Sequence, residues 1–222
     1  MRPLTLAPFL VLLGGLPVAG QTAVPFTRAD TQVTIGWNNI RHPLDKTNAC
    51  CYSHDWIHDI ALAEATGGWF WTEHLRTTFD VGVNSDGQQY ADATVVYNGQ
   101  PVYRAGSITL HQWQVGVGQQ YQFGHNAWFH PHVGGGALIA FNQQTVLLQP
   151  GYYYDQSSRT TRVISDISRT TTNETTLHPF AEAGFKAYVS RKVYFVHDTR
   201  FTFASDGLGQ VGFNFGFGVD FW

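Results

Sequence analysis

Residues 211–222 read VGFNFGFGVDFW, and this stretch decides the fold. Large apolar residues occupy every second position, while glycine, asparagine or aspartate occupies most positions between them. Because successive side chains of a β-strand point to opposite faces, this period of two predicts a strand. A strand covering a soluble core would carry long polar side chains on its wet face, whereas glycine suits a crowded interior. We therefore predict that the apolar face points outward.

Seven further segments show related alternation and complete a set of eight predicted strands. They are residues 31–37, 60–71, 75–83, 113–123, 129–141, 179–189 and 193–203. Three connections are about three residues long, at 72–74, 124–126 and 190–192, and three are long and polar, at 39–58, 85–107 and 142–176. In an up-and-down barrel this alternation gathers the short turns at one end, as in transmembrane β-barrels. The sequence therefore predicts an all-β, eight-stranded antiparallel transmembrane barrel, with a soluble lipocalin-like carrier of a small hydrophobic ligand as the alternative.

Composition agrees with a membrane barrel. The chain has 222 residues, of which 43% are hydrophobic and only 13% are charged, against about 25% charged in typical soluble domains. The formal net charge of −3 gives no basic surplus for binding a phosphate backbone, so we predict no nucleic-acid partner. After the N-terminus no stretch of 18 or more apolar residues occurs, which argues against a transmembrane helix.

The N-terminal residues predict export. Arg2 is followed by an apolar run at 4–16 and by the small residues Ala19 and Gly20. These are the three parts of a secretory signal peptide. We expect residues 1–20 to be the signal peptide and residues 21–222 to be the barrel domain.

Aromatic residues gather near the predicted short turns and the C-terminus. The set comprises Trp69, Trp71, Phe123, Trp128, Phe129, Tyr188, Tyr194, Phe195, Phe221 and Trp222. In a barrel these positions form one ring at one rim, which is typical of a membrane interface. We predict a periplasmic-side aromatic girdle, with Trp69, Trp71, Phe123, Phe129, Phe195 and Phe221 as its principal members.

The apolar N-terminus, the eight alternating segments, the unequal connections and the aromatic last strand resemble small bacterial outer-membrane β-barrel proteins of the OmpX and OmpA membrane-domain type. The resemblance covers residues 21–222 and implies a porin-like fold in the outer membrane of a Gram-negative bacterium. It implies contact with outer-membrane lipids and lipopolysaccharide, and insertion by the barrel assembly machinery through the C-terminal strand. It implies no catalytic motif and no cofactor. One departure is that the outward phase ends at Phe221, one position before Trp222.

Charged side chains are predicted to occupy the barrel interior. By alternation the inward set comprises Arg76, Asp80, His130, His132, Glu182, Lys186, Asp198, Arg200 and Asp220. An eight-stranded barrel has a bore that side chains can fill, and buried charges need partners. We expect these groups to plug the lumen, and a narrow gated channel for small solutes is the alternative.

Two clusters contain metal-ligating residue types. Cys50 and Cys51 are the only cysteines and are followed by His54 and His58. Thiolates and imidazoles can bind zinc or copper, but the cysteines could equally be free, form a strained vicinal bridge or pair between molecules. The second cluster is His130 and His132, with Glu182 on the next strand, and it lacks a complete ligand set.

The remaining features concern the predicted extracellular loops. The loop at 142–176 contains three consecutive tyrosines, a composition found in recognition surfaces, although a mobile solvated loop is the simpler interpretation. A lipid A acyl hydrolase or acyltransferase would need a serine beside a histidine at the outer rim. Ser205 has no histidine nearby in sequence, so we predict no enzyme. The predicted function is to span the outer membrane and display three long loops in a structural or surface-interaction role.

Overall fold

The computed structural model describes residues 27–41, 56–124, 128–205 and 207–221, and in these ranges the chain forms eleven β-strands. They are β1 (Ala29–Arg41), β2 (Trp56–Phe70), β3 (Leu75–Asn84), β4 (Gly87–Tyr97), β5 (Gln100–Gln122), β6 (Phe129–Leu148), β7 (Gly151–Asp155), β8 (Thr160–Ser165), β9 (Ser168–Tyr188), β10 (Val193–Ala204) and β11 (Gly207–Phe221). The described residues include no helix long and apolar enough to cross a membrane. The predicted signal peptide lies outside these ranges.

Eight of these strands close into a barrel. The ring runs β1, β2, β3, β5, β6, β9, β10 and β11, and β11 returns to pair with β1. Every neighbouring pair is antiparallel. The structure therefore confirms the predicted eight-stranded, antiparallel up-and-down barrel. One end carries the short connections at 71–74 and 189–192, and we call it the turn end; the opposite end is the hairpin end.

The predicted loop at 85–107 is instead a hairpin. β4 pairs with the first half of β5 along its whole length, so the barrel wall continues beyond β3. The hairpin reverses at Asn98 and Gly99, whose φ angles are 50° and 75°, the left-handed region that a two-residue turn of this kind requires. The prediction was wrong because it identified strands by an apolar face. Above the membrane both faces of a strand can be polar, so the alternation disappears although the strand continues.

The predicted loop at 142–176 is also mostly strand. β6 extends to Leu148 and pairs with β9 from Ser168 onward, while β7 and β8 form a separate hairpin between them. Arg104 of β5 anchors this hairpin by donating to the carbonyl oxygens of Gln149 at 2.9 Å and Asp166 at 2.6 Å. Strands β4, β5, β6 and β9 therefore extend side by side at the hairpin end. Of the third predicted loop, at 39–58, residues 42–55 lie outside the described ranges.

The outer surface of the barrel is apolar. Val33, Ile35, Phe79 and Phe217 are each more than half exposed. On β11 the outward set runs from residue 211 to 221, a distance of about 33 Å along the strand and about 25 Å along the axis of a barrel with tilted strands. The apolar rows therefore form the outside of the barrel and do not line an internal cavity, contrary to the lipocalin-like alternative.

The interior is polar over most of its length. Even-numbered positions of the eight ring strands point inward, and they hold most of the 25 buried polar or charged residues among those described. Thr27 precedes β1, and Arg104 lies in the wall of the β4–β5 hairpin. Ile40, Ile57, Ile60 and Leu110 form an apolar cluster toward the hairpin end, and single buried apolar side chains such as Leu138 and Phe180 lie among the polar ones. Glycine on inward positions permits close strand packing: a Cβ added to Gly216 would lie 2.0 Å from the carbonyl oxygen of Val33.

Candidate functional site

An ion cluster fills the bore at the turn end, centred on Asp30 of β1. The guanidinium of Arg76 donates to Asp30 Oδ1 through Nε at 2.9 Å and Nη2 at 2.6 Å. Asp30 Oδ2 accepts from the Lys186 ammonium and from the Tyr194 hydroxyl, the latter at 2.8 Å. Asp30, Arg76, Lys186 and Tyr194 are at most 4% exposed. One carboxylate therefore forms ion pairs with two cations from different sides of the barrel.

A second cluster lies deeper in the bore around Arg200 of β10. Its guanidinium donates to Glu64 at 2.8 Å, to Asp80 at 3.1 Å and to Glu182 at 3.1 Å. These carboxylates come from β2, β3 and β9, so the single guanidinium joins four strands. The guanidinium carbon also lies 4.7 Å from the centre of the Phe180 ring. Long side chains from facing walls thus meet at this level.

Gln120 connects the two clusters. Its side-chain oxygen accepts from Arg76 Nη1 at 2.6 Å, and its side-chain nitrogen donates to Glu182 at 2.6 Å. Within the network six buried carboxyl groups, including Asp198 and Asp220, face the cationic side chains of Arg76, Lys186 and Arg200. Arg76 and Lys186 both pair with Asp30, whereas Arg200 alone pairs with three acids. Because an unpaired buried charge is costly, loss of Arg200 would affect the largest number of carboxylates.

A layer of amides lies above the ions, toward the hairpin end. Asn38 donates to Asn84 at 2.8 Å, Asn84 donates to Gln112, and Gln112 donates to Asn142 at 2.8 Å. Asn142 then donates to the Thr176 hydroxyl at 3.4 Å. The relay crosses from β1 to β9 and forms a hydrogen-bonded floor above the ion clusters.

Of the predicted interior residues, all but His130 are buried: Arg76, Asp80, His132, Glu182, Lys186, Asp198, Arg200 and Asp220. His132 Nε2 lies 2.6 Å from Asp198 Oδ1, and Asp220 accepts from the Tyr188 hydroxyl at 2.6 Å. His130 is only half-buried, its ring lies 5.4 Å from that of Tyr188, and it makes no ion pair within the described ranges. The structure thus brings eight of the nine into the lumen interior and leaves His130 at its rim.

The sequence interpretation missed Asp30, Glu64 and Tyr194. Asp30 lies one residue before the predicted start of the first strand, at 31. Glu64 follows the same alternation as its neighbours Leu62 and Thr66, so applying the period-two rule to that strand would have identified it. Tyr194 was assigned to the outer ring because it is aromatic and near a turn.

The six principal girdle positions lie on the outside at the turn end. Trp69, Trp71, Phe123 and Phe221 are 45–63% exposed, and Phe129 and Phe195 are partly exposed. Two residues of the wider aromatic set point inward instead, since the hydroxyls of Tyr188 and Tyr194 bind Asp220 and Asp30. A tyrosine carries a polar tip that a nearby buried carboxylate can capture. Trp222 lies outside the described ranges.

Of the predicted cysteine and histidine cluster, only His58 is described. It is exposed on β2, with Nδ1 3.1 Å from Asn39 Oδ1. Cys50, Cys51 and His54 lie outside the described residues, so their metal site stays a prediction. Across the described ranges no three histidine, cysteine or acidic side chains are arranged to hold a metal ion, and His130 and His132 have separate surroundings.

Ser205 and His178 are far apart in the sequence but line the same cavity at the hairpin end. However, His178 Nδ1 lies 3.2 Å from the Phe203 carbonyl oxygen, and Nε2 lies 2.8 Å from the Thr176 hydroxyl. Both ring nitrogens are therefore engaged elsewhere, and the histidine does not activate Ser205 in this arrangement.

Comparisons with known proteins give likenesses of fold. No protein-family model and no curated protein sequence matches the chain. Among solved structures it is similar to the N-terminal β-barrel domain of Pseudomonas aeruginosa OprF, with 15% identity, a TM-score of 0.48, and 88% of this chain and 98% of that chain covered. Neisserial surface protein A is 11% identical, with a TM-score of 0.49, and the match covers 87% of this chain and 97% of that chain. The attachment invasion locus protein Ail of Yersinia pestis is 8% identical, with a TM-score of 0.48, and the match covers 87% of this chain and 99% of that chain. The barrel assignment itself rests on the closed ring of strand pairs.

Proposed function

We propose that this protein is a plugged outer-membrane barrel whose function is to hold the two hairpins and the strands that carry them above the membrane. The outward apolar surface of about 25 Å supports insertion in a bilayer. The proposed contacts are outer-membrane lipids and lipopolysaccharide around the barrel, with the barrel assembly machinery acting on β11 during insertion. The role is structural or one of surface interaction.

The observation that carries the proposal is the linked ion network across the bore. Arg200 bridges carboxylates on three other strands, and Gln120 joins that cluster to Asp30 and its partners. Eight strands leave an interior that side chains can fill. A solute would have to break several buried ion pairs to pass, which favours a closed lumen over a narrow channel.

Single-channel conductance tests the plug. Purified protein in a planar bilayer should give no resolvable steps of current in about 1 M KCl, a high salt concentration that makes small channel currents easier to detect. The double variant Arg200→Ala with Phe180→Ala removes two stacked side chains at one level of the bore, but the Asp30 cluster and the amide layer still cross the lumen, so this variant should also stay closed. Resolvable current steps from the unaltered protein would show that the lumen is a channel, and the plug would be rejected.

Cysteine labelling on whole cells tests the orientation. In a background with Cys50→Ser and Cys51→Ser, one variant carries Ser157→Cys in the turn between β7 and β8, and another carries Glu73→Cys in a short turn. Both positions are exposed, so a membrane-impermeant maleimide should label residue 157 on intact cells and residue 73 only after the membrane is opened. Equal labelling of both on intact cells would contradict a membrane-spanning barrel.

A further inference from the structure

His197 is an ionisable side chain in the middle of the outward apolar surface. On β10 it pairs with Phe215 of β11, which is near the centre of the outward row from residue 211 to 221. Its ring lies 4.6 Å from the centre of the Phe215 ring and 5.6 Å from that of Phe185. Ionisable side chains at membrane depth are costly and usually serve a function. Contact with lipid alone therefore does not explain a histidine at this position.

One ring nitrogen of His197 lacks a close hydrogen-bond partner among the described residues. Nδ1 lies 3.0 Å from the carbonyl oxygen of Asn214. Because a carbonyl oxygen only accepts, Nδ1 carries the proton of the neutral ring and Nε2 is left as an acceptor. Nε2 lies 3.5 Å from the Thr199 hydroxyl, which is beyond the usual range of a hydrogen bond. His197 and Thr199 are both partly exposed on the outside of the barrel, so another molecule can reach them.

The outward surface has a recess on one side of His197 and an aromatic ridge on the other. On the β9 side the outward residues are small, and we call them the recess: Gly135, Ala181 and Ala183. On the β11 side they are aromatic, and we call them the ridge: Trp37, Phe213 and Phe215. The tryptophan ring lies 5.7 and 5.6 Å from the two phenylalanine rings. The histidine thus lies between a low and a high part of the surface.

The recess and the ridge lie at about the same depth. Strand pairing followed once around the ring leads from Ala29 to Asn39 of β1, so the register rises toward the hairpin end by slightly more than one residue per strand. Ala183 is connected through Thr199 to Phe213, two strands away. After the rise of about two residues is subtracted, Ala183 is level with Phe215.

A second copy of the chain matches this surface in both shape and hydrogen bonding. A twofold axis along the membrane normal keeps every residue at its own depth, so it brings His197 and Thr199 of one copy opposite the same two residues of the other. The axis also exchanges the two sides of β10, so the ridge of each copy faces the recess of the other. An acyl chain at this depth has no hydrogen-bond donor and would leave Nε2 unsatisfied.

We propose that this protein forms a homodimer in the membrane through the outward face of β9, β10 and β11. The Thr199 hydroxyl of each copy donates to His197 Nε2 of the other, which gives two symmetric hydrogen bonds. The small residues of the recess let the two barrels approach closely. The inference rests on the proposed function only in requiring that the barrel is inserted in a bilayer.

Energy transfer between labelled copies in lipid vesicles measures the dimer. In the background with Cys50→Ser and Cys51→Ser, Ser157→Cys carries either a donor or an acceptor dye. The full chain is folded into phosphatidylcholine vesicles over a range of lipid-to-protein ratios, and the mobility shift between boiled and unboiled samples verifies that each variant has folded. We expect energy transfer above the level of random proximity, and it should fall as added lipid dilutes the protein.

Thr199→Val tests the hydrogen bonds, because it removes both donors and keeps the shape of the side chain. A hydrogen bond between membrane-spanning segments changes an equilibrium by about threefold, so losing the pair should raise the dissociation constant of the dimer about eightfold. The matched control is Thr77→Val, which removes an outward hydroxyl of β3, four strands away around the ring. It should leave the dissociation constant unchanged.

Ala183→Phe tests the packing, because it fills the recess that the ridge of the other copy would enter. Energy transfer in this variant should fall to the level of random proximity. The matched control is Ala65→Phe, which places the same ring on another exposed, outward alanine, on β2. This control should dimerise like the unaltered protein.

Three outcomes would overturn the proposal. The first is random transfer by the unaltered protein at every lipid ratio, which would leave acyl chains as the occupants of the recess. The others are an unchanged dissociation constant in Thr199→Val and equal effects of the two phenylalanine variants. A barrel that is inserted as a monomer would still give the expected labelling and conductance, so failure of the dimer is distinguishable from failure of the proposed function.

Discussion

Replacing Arg200 with methionine should destabilise the barrel strongly. The change keeps an unbranched side chain of similar length but deletes the guanidinium that holds Glu64, Asp80 and Glu182 at 2.8–3.1 Å. After the change Glu182 keeps a hydrogen bond from Gln120 at 2.6 Å. Asp80 has an oxygen that already lacks a described partner, and it loses its ion pair.

The size of the effect follows from burial. Arg200 and its three partners are at most 8% exposed in their side chains, so little water can replace the lost contacts. Removing one member of a buried ion pair costs about 3–5 kcal/mol, because the remaining charge is left uncompensated. We expect a loss of this size in the free energy of unfolding of Arg200→Met.

Urea unfolding in lipid vesicles, followed by tryptophan fluorescence, measures that free energy, and the mobility shift between boiled and unboiled samples reports whether the barrel forms. The matched control is Arg162→Met on exposed β8, which should change the free energy of unfolding by less than about 0.5 kcal/mol. If Arg200→Met fails to fold, the double variant with Asp80→Asn keeps the test informative, because it removes one uncompensated charge and should recover part of the loss. A loss below about 1 kcal/mol in Arg200→Met would refute the idea that the buried network stabilises the barrel.

Three further predictions concern packing, the membrane face and the hairpin. Gly68→Ala would place a Cβ 2.0 Å from a guanidinium nitrogen of Arg76, so the free energy of unfolding should fall by about 1–3 kcal/mol. The control is Gly67→Ala, whose outward Cβ meets no atom within 4 Å and should be tolerated. Equal effects of the two variants would refute the inward packing. Phe217→Arg on the apolar face should cost about 2–4 kcal/mol in a bilayer, and Thr175→Arg above that face should cost little; a neutral Phe217→Arg would argue against insertion. Hydrogen bonds from two serines that follow Asp155 lower its pKa from 3.8 to about 2, so their stabilisation is present above pH 4 and disappears as the pH falls through about 2. An NMR titration of that carboxyl group with a midpoint near 3.8 would contradict these bonds.

Sequence patterns were sufficient for the barrel but insufficient for its outer end. Eight segments with period-two alternation correspond to the eight ring strands, because a bilayer forces one face of each strand to be apolar. Beyond the membrane that constraint ends, and residues such as Thr145 and Thr171 pair across strands with polar side chains on the exposed face. Strand propensity and register there depend on the partner strand, which a single sequence does not reveal.

By itself the sequence determined the alternation that sends most charged side chains of these strands inward, because alternation is a local property of an extended backbone. Tyr188 and Tyr194, which were assigned to the outer ring, follow that alternation inward. The sequence could not determine which of the inward side chains meet. Arg200 and Glu64 are separated by 136 positions, and Lys186 and Asp30 by 156, and only the closure of the ring brings each pair within contact distance. The cavity above the amide floor is likewise formed by residues from strands at both ends of the chain. The cavity exists because side chains fill the interior only up to the amide floor. Only the tertiary structure decides where this filling ends, since it depends on the summed volumes of side chains from all eight strands.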